Sequence, residues 1–288
     1  MTTDRTNQQI KLKDGRSLGY AEYGSPDGKT ILCFHGFPGS RLDWMYFDDA
    51  CKPETLNARI IVADRPGMGL SDFKSGRRLL DWADDVVELA EALQLDRFAV
   101  LGISGGGPYT AACAYKIPER LTVAAIISGM GPSEAPGSKE GAAWIFPGKP
   151  SIIRRLILML TSMGMQKKPE RIESQMVDGL KGSDKALFLE KPKIAKRIIE
   201  SWQEAFRSGI AGVNHEAALY TRPWQFNLED INIETYLWHG DQDENVPISV
   251  GRYVANAIPK CQAAFIENEG HFSLAYKYLR ECLSVLVA

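Results

Sequence analysis

The chain has 288 residues, 44% of them hydrophobic and 24% charged. That balance excludes a disordered chain, a collagen-like fibre and a disulfide-framed miniprotein. Lys and Arg number 34 against 36 Asp and Glu, for a net charge of −2, which argues against binding nucleic acid by neutralising its phosphates. The five cysteines are widely spaced with no CxxC pair, so neither a disulfide frame nor a metal site is expected, and a reducing compartment fits best. The first residues lack the apolar core of a secretory signal. The most apolar later stretch, residues 152–160, is too short to span a bilayer and contains Arg154 and Arg155. A cytoplasmic protein with no membrane span is the expectation.

The chain opens on a hairpin pattern. Ile10 and Leu12 alternate with lysines, Asp14-Gly15 supplies the turn, and Leu18 and Tyr20 alternate on the return. Short apolar runs follow at residues 30–34, 59–63, 98–103 and 123–128 and read as strands. Between the second and third, Trp82, Val86, Leu89 and Leu93 fall on one face of a helix. Residues 109–117 read as another helix. Beyond residue 131 the strand signals stop and helical patterns take over. This stretch carries more Lys and Arg than acids, a surplus that reads as a solvated surface. Four of the eight methionines lie here (Met159, Met163, Met165 and Met176), and ordinary helix packing accounts for them. The α/β pattern then resumes, with strands at 235–238 and 263–266 and helices at 246–258 and 272–287. Strands alternating with helices imply an α/β fold, a mostly parallel open sheet with helices on both faces. Its core is built from residues 1–131 and 231–288, and residues 132–230 form a helical insertion. No amphipathic element stands out as unpaired, so the oligomeric state is not readable.

The third strand ends in Gly102-Ile103-Ser104-Gly105-Gly106, a G-x-S-x-G between a buried strand and a helix. A serine on such a sharp turn exposes its hydroxyl at the strand end, and small neighbours make room for it. The pattern lacks the lysine of a phosphate loop. A serine hydroxyl needs a base to become a nucleophile. Of the four histidines, His271 lies in a loop after a strand, as Ser104 does, and catalytic groups of open α/β sheets gather at that edge. His239 reads as a packing or loop residue, and His215 as a solvated or core residue of the insertion. The base in turn needs a carboxylate, for which Asp241 and Asp243 are both placed after a strand, and the order Ser, acid, His is one in which triads occur.

Several pieces now agree in order. They are His35-Gly36-Phe37-Pro38-Gly39-Ser40 after an early strand, Asp64-Arg65-Pro66-Gly67-Met68-Gly69-Leu70-Ser71-Asp72 after the next, the turn at Ser104, the acid loop, and Gly270-His271. Over nearly its full length the chain resembles an α/β-hydrolase with a helical cap. In that family the acid usually precedes a Val-Pro by three residues, which implies Asp243 and leaves Asp241 as a loop carboxylate. No acid directly follows the strand at 123–128, the family's alternative position. The oxyanion hole is expected from two backbone N–H groups, those of Gly105, at a helix N-terminus, and, by resemblance, Phe37. His35 then shapes its loop, and residues 64–72 form a structural turn in which Arg65 has no catalytic part.

The resemblance implies a serine hydrolase in which Ser104, His271 and Asp243 form an acyl-enzyme with a small or medium carboxylic ester, including a methyl ester or lactone, and no cofactor or metal is implied. Dehalogenases and epoxide hydrolases of the family carry Asp where this chain has Ser104. An aminopeptidase would need acids near a substrate amine, and Glu134, Glu173 and Glu216 are candidates. A haloperoxidase-like or perhydrolase reaction shares the triad, and a ligand receptor on a hydrolase scaffold is the non-enzymatic alternative. Substrate choice is expected from the aromatic and Met residues between Trp144 and Trp224, acting on a small-molecule ester.

Overall fold

A computed structural model gives the three-dimensional structure and describes residues 5–144 and 148–288. Eight strands form one sheet in the order β1-β2-β4-β3-β5-β6-β7-β8. The expected hairpin is β1 (Gln8–Lys11) and β2 (Ser17–Gly24), paired antiparallel with Ile10 opposite Leu18. Gly15 takes the turn at a φ of +86°, which its missing Cβ permits. The strand β2 also pairs antiparallel with β4 (Ala58–Ala63). All remaining pairs are parallel and join β3 (Lys29–Phe34), β4, β5 (Phe98–Ile103), β6 (Leu121–Ile127), β7 (Thr235–Gly240) and β8 (Cys261–Ile266). The mostly parallel sheet anticipated from the alternating pattern is therefore present.

Every residue of β5 is buried, because helices cover both faces of the sheet. Alternate side chains feed two cores. Phe98 and Val100 join the cluster under α1 (Asp81–Ala92), α2 (Gly107–Lys116) and α8 (Ile248–Ala257). Ala99, Leu101 and Ile103 join the cluster on the opposite face, under α9 (His271–Leu286). Trp82 sits at the centre of the first cluster, edge-on to Phe34 at 5.7 Å and to Tyr109 at 6.0 Å. The five cysteines are unpaired, with Cys33, Cys113 and Cys282 in the core as expected of small apolar residues.

Among the described residues, five α-helices lie between β6 and β7: α3 (Ser151–Lys167), α4 (Pro169–Gly179), α5 (Gly182–Glu190), α6 (Lys193–Ala205) and α7 (Ala211–Leu219). They cover the carboxyl edge of the sheet, where β5 delivers Ser104. Trp224, counted from sequence with the substrate-facing aromatics, is instead buried beside Leu228 and Ile231 in the first core cluster. Its ring covers the sheet because the chain has already turned back toward β7. The side chain of Trp144, the other end of that stretch, lies outside the described residues, as do residues 1–4 and 145–147. Among the described residues no helix is long and apolar enough to cross a membrane.

Trp82→Ala is expected to cost about 3–5 kcal/mol of stability in urea unfolding, since a buried aromatic leaves a cavity the two flanking rings cannot fill. A loss below about 1 kcal/mol would show that this cluster is not tightly packed.

Candidate active site

At the end of β5 the backbone turns at Ser104 with a φ of +55°, a left-handed conformation that costs a non-glycine residue energy and is held by its surroundings. The crowding around it explains the glycines. A Cβ on Gly102 would lie 2.3 Å from the Thr110 hydroxyl, and one on Gly106 would lie 2.1 Å from the Phe34 carbonyl oxygen. The helix α2 can therefore start directly against β3, with the Ser104 side chain left facing a cavity.

His271 opens α9 and lines the same cavity as Ser104. Its Nδ1 lies 2.8 and 3.0 Å from the two Asp243 carboxylate oxygens. Asp243 is buried, and its Oδ1 also accepts N–H bonds from Asn245 (2.9 Å) and Val246 (2.8 Å). Burial works against the imidazolium, but the Asp243 carboxylate outweighs it and lifts His271 above its ordinary pKa of 6.5. Burial likewise pushes Asp243 up, and His271 and the hydrogen bonds more than reverse this, leaving it below the usual range. Asp241 stands apart, accepting an N–H bond from Asn268 in the exposed loop. His239 is buried in β7, with Nε2 2.7 Å from the Val246 carbonyl. His215, half-buried on α7, has Nε2 2.9 Å from the Arg77 carbonyl and does not line the cavity.

The Phe37 and Gly105 amides belong to neighbouring backbone segments. A Cβ on Gly105 would lie 3.1 Å from the Phe37 nitrogen and 2.6 Å from the Phe37 Cβ. The loop carrying Phe37 is held at nearly every backbone polar group before it. Asp43 accepts the Gly36 N–H at 2.8 Å. Arg65 donates to the carbonyls of His35 (2.7 Å) and Gly36 (2.8 Å). The Arg65 N–H donates to His35 Nε2 at 3.2 Å, which leaves the ring proton on Nδ1, 2.9 Å from the Gly36 carbonyl. Burial and the nearby Arg65 charge push His35 well below its ordinary pKa, so the ring stays neutral. This is the loop-shaping part expected of it.

Two carboxylates of this arrangement, Asp184 and Asp43, escape a reading of the sequence, and a third, Glu216, is singled out there only as an acid for a substrate amine. Glu216, on α7, is fully buried and pairs with Arg65 (2.6 Å) and Arg77 (2.7 Å). Burial alone would raise its carboxyl, but the two guanidinium groups hold it down at about 2. Its Oε1 is also 2.8 Å from the Tyr220 hydroxyl, which in turn is 2.9 Å from the Gly105 carbonyl. Asp184, on α5, accepts the first N–H groups of α9, those of His271 (2.9 Å), Phe272 (2.9 Å) and Ser273 (2.8 Å). It caps a helix whose N-cap residue, Gly270, has no side chain to do so, and a Cβ there would lie 2.5 Å from the Asp184 carboxyl carbon. Asp43 lines the cavity, and burial raises its carboxyl against hydrogen bonds from Ser201 and Gly36. Periodicity marks Glu216 and Asp184 only as the polar side of a helix; the paired cations and the uncapped helix end that would identify them are far away in the chain.

The cavity has a volume of about 580 Å³, within the range of small-molecule sites. Its roof is mostly apolar, with Ile172 and Met176 from α4 and Ile198 and Trp202 from α6, alongside the polar Gln175 of α4 and Thr161 of α3. Of the four insertion methionines, Met176 faces the cavity, Met165 is buried, and Met159 and Met163 face outward. Glu134, Glu173 and Glu216 do not line the cavity. Among the described residues no cluster of His, Cys, Asp and Glu has the makings of a metal site.

Residues 29–278 match the family model described as alpha/beta hydrolase fold, and the chain belongs to that family. It is 23% identical over 271 residues to a non-heme chloroperoxidase of Streptomyces lividans, covering 87% of this chain and 85% of that one. Two solved structures superpose over nearly the whole fold. A bromoperoxidase from Bacillus anthracis gives a TM-score of 0.71 at 22% identity, covering 98% of each chain. A thermophilic esterase from Thermogutta terrifontis gives 0.69 at 22% identity, covering 98% of this chain and 100% of that one.

Replacing Glu216 with Gln leaves Arg65 and Arg77 buried without a counter-charge, and is expected to cost about 3–5 kcal/mol at neutral pH. Because the folded pKa lies below the ordinary one, the stabilisation is complete above about 4.5 and is lost as pH falls toward about 2. Urea unfolding of both proteins from pH 7 downward should show the gap narrowing in that window. A constant gap would mean that Glu216 acts by packing rather than by charge.

Proposed function

We propose that the protein is a serine hydrolase that cleaves a small or medium carboxylic ester through an acyl-enzyme on Ser104. The observation that carries this reading is the convergence at one cavity of a serine on a left-handed turn and a histidine held at 2.8 Å by a buried aspartate. His271 takes the Ser104 proton as the serine oxygen bonds to the ester carbonyl carbon. The Gly105 and Phe37 N–H groups stabilise the oxyanion, helped by the positive end of α2. Collapse breaks the bond to the alcohol oxygen, which leaves with the proton from His271. Water then attacks the acyl carbon, giving its proton to His271, and the acid leaves as Ser104 regains a proton. Asp243 fixes His271 with Nδ1 as donor and stabilises the imidazolium. The mostly apolar roof suits an apolar acyl or alcohol group. We take residues 132–230 as the cap over this site, joined to a core of residues 1–131 and 231–288.

The aminopeptidase reading loses its support, since the insertion acids named for it do not line the cavity and Asp43 is occupied by backbone and serine donors. A second reading is perhydrolysis at the same site, in which hydrogen peroxide replaces water as acyl acceptor, and the similarity to a bifunctional esterase/perhydrolase of Acinetobacter calcoaceticus supports it.

Hydrolysis of a series of p-nitrophenyl esters tests the reading. Ser104→Ala and Asp243→Asn are each expected to lower kcat by about 10⁴ or more. The wild-type kcat/KM should rise with pH as His271 loses its proton, with a midpoint above 6.5. Retained turnover in Ser104→Ala would exclude the acyl-enzyme route. A larger loss from Asp241→Asn than from Asp243→Asn would reassign the acid.

A further inference from the structure

The outer face of α3 carries apolar residues from Ile152 to Met163, with the exposed Arg155 and Lys167 beside and beyond them. Its inward residues Arg154, Leu158, Ser162 and Met165 are buried. On the other side Ile152, Ile153, Leu156, Met159, Leu160 and Met163 are between 43% and 84% exposed. Their spacing makes one continuous stripe. Single exposed apolar residues are ordinary, but a contiguous stripe of six marks an interaction surface. The sequence reading in which no amphipathic element stands unpaired is corrected here. The helix is apolar on both sides, and only the fold shows which side is covered.

Along the chain, the charge of the stretch that carries this stripe is one-sided, although the neighbouring α4 bears Glu170, Glu173 and Asp178. From Glu140 to Glu170 no acidic residue intervenes, and the stretch carries Lys149, Arg154, Arg155, Lys167 and Lys168. All but Arg154 are exposed, and they stand before, within and at the end of α3. We propose that α3 docks the protein on an anionic lipid surface. The helix would lie flat, its apolar stripe sunk among the acyl chains near the headgroups and its basic side chains against lipid phosphates. Arg154 is fixed inside the fold by Asn214 at 3.0 Å, so the helix cannot turn to enter the bilayer end-on. Charge argues against a second copy as the occupant, since pairing α3 with its own copy brings the exposed Arg155 and Lys167 of both together. Thr161 of the same helix lines the cavity, so docking would set the roof of the site against the lipid.

The test is co-sedimentation of the full chain with phosphatidylcholine vesicles, with and without phosphatidylglycerol. Binding is expected to require phosphatidylglycerol and to weaken as salt is raised. The double variant Leu156→Gln/Leu160→Gln changes exposed residues only and should bind about tenfold more weakly or worse. Arg155→Glu/Lys167→Glu should weaken binding as well, and near-ultraviolet circular dichroism checks that each variant is folded. The proposal is overturned if anionic vesicles carry down no protein, if both variants bind as wild type does, or if phosphatidylcholine alone binds equally. It is also overturned if light scattering finds a dimer that the leucine variant abolishes while vesicles bind nothing, because the face would then belong to a second copy. None of these readings depends on turnover, so the result stands apart from the fate of the hydrolase proposal.

Discussion

A guanidinium removed from water has five N–H donors to satisfy and a charge to neutralise, and Arg65 does both with the groups that shape the site. Two of its bonds hold the carbonyls of His35 and Gly36, and its counter-charge is Glu216. The ring of Tyr109 lies 4.7 Å from the guanidinium, closing another side. With both carbonyls pinned from one side and the Gly36 N–H taken by Asp43 from the other, the next N–H in the chain, that of Phe37, stays beside Gly105. An oxyanion site is useful only when its donors are fixed before the charge develops, because reorienting them during reaction forfeits the gain. Arg65 itself touches no part of the cavity, which agrees with reading its loop as structural.

The same interactions make parts of the helical insertion integral to the site. Glu216 and Tyr220 come from the insertion and meet Arg65, Arg77 and Gly105 of the sheet side. Asp184 caps the helix that carries His271. Two of the elements covering the sheet are thus fixed by buried charge and by a helix cap, and breaking either leaves polar groups unsatisfied. The helix α3 differs, since among the described residues its outward apolar side chains stand exposed. Rigidity where the reacting groups are held and an open apolar face at the outer surface divide the insertion into two physical roles.

Much of this was legible in the residues. The strands were, because parallel strands buried on both faces leave short apolar runs between turn signals. The serine turn was, because steric crowding demands small residues at fixed offsets, and 2.1 Å of room at Gly106 is what that demand looks like in space. The residues alone left Asp241 and Asp243 both open as partners of His271, and it was the resemblance to the family that implied Asp243. What stayed hidden acts across long separations. Arg65 and Glu216 are 151 residues apart, and Asp184 and His271 are 87 apart. A buried glutamate and a solvated one look alike on a helix, and only tertiary packing distinguishes them. Trp224 was misplaced for the same reason, since an aromatic near the end of the insertion can face either the cavity or the core.

The central claim is that Ser104 is an activated nucleophile in an assembled site. Reaction of the folded protein with a fluorophosphonate probe, followed by peptide mass spectrometry, tests this without any choice of substrate. The account expects one labelled residue, Ser104, with labelling abolished in Ser104→Ala and slowed strongly in His271→Ala. Labelling at another residue, or undiminished labelling of Ser104 without His271, would contradict it.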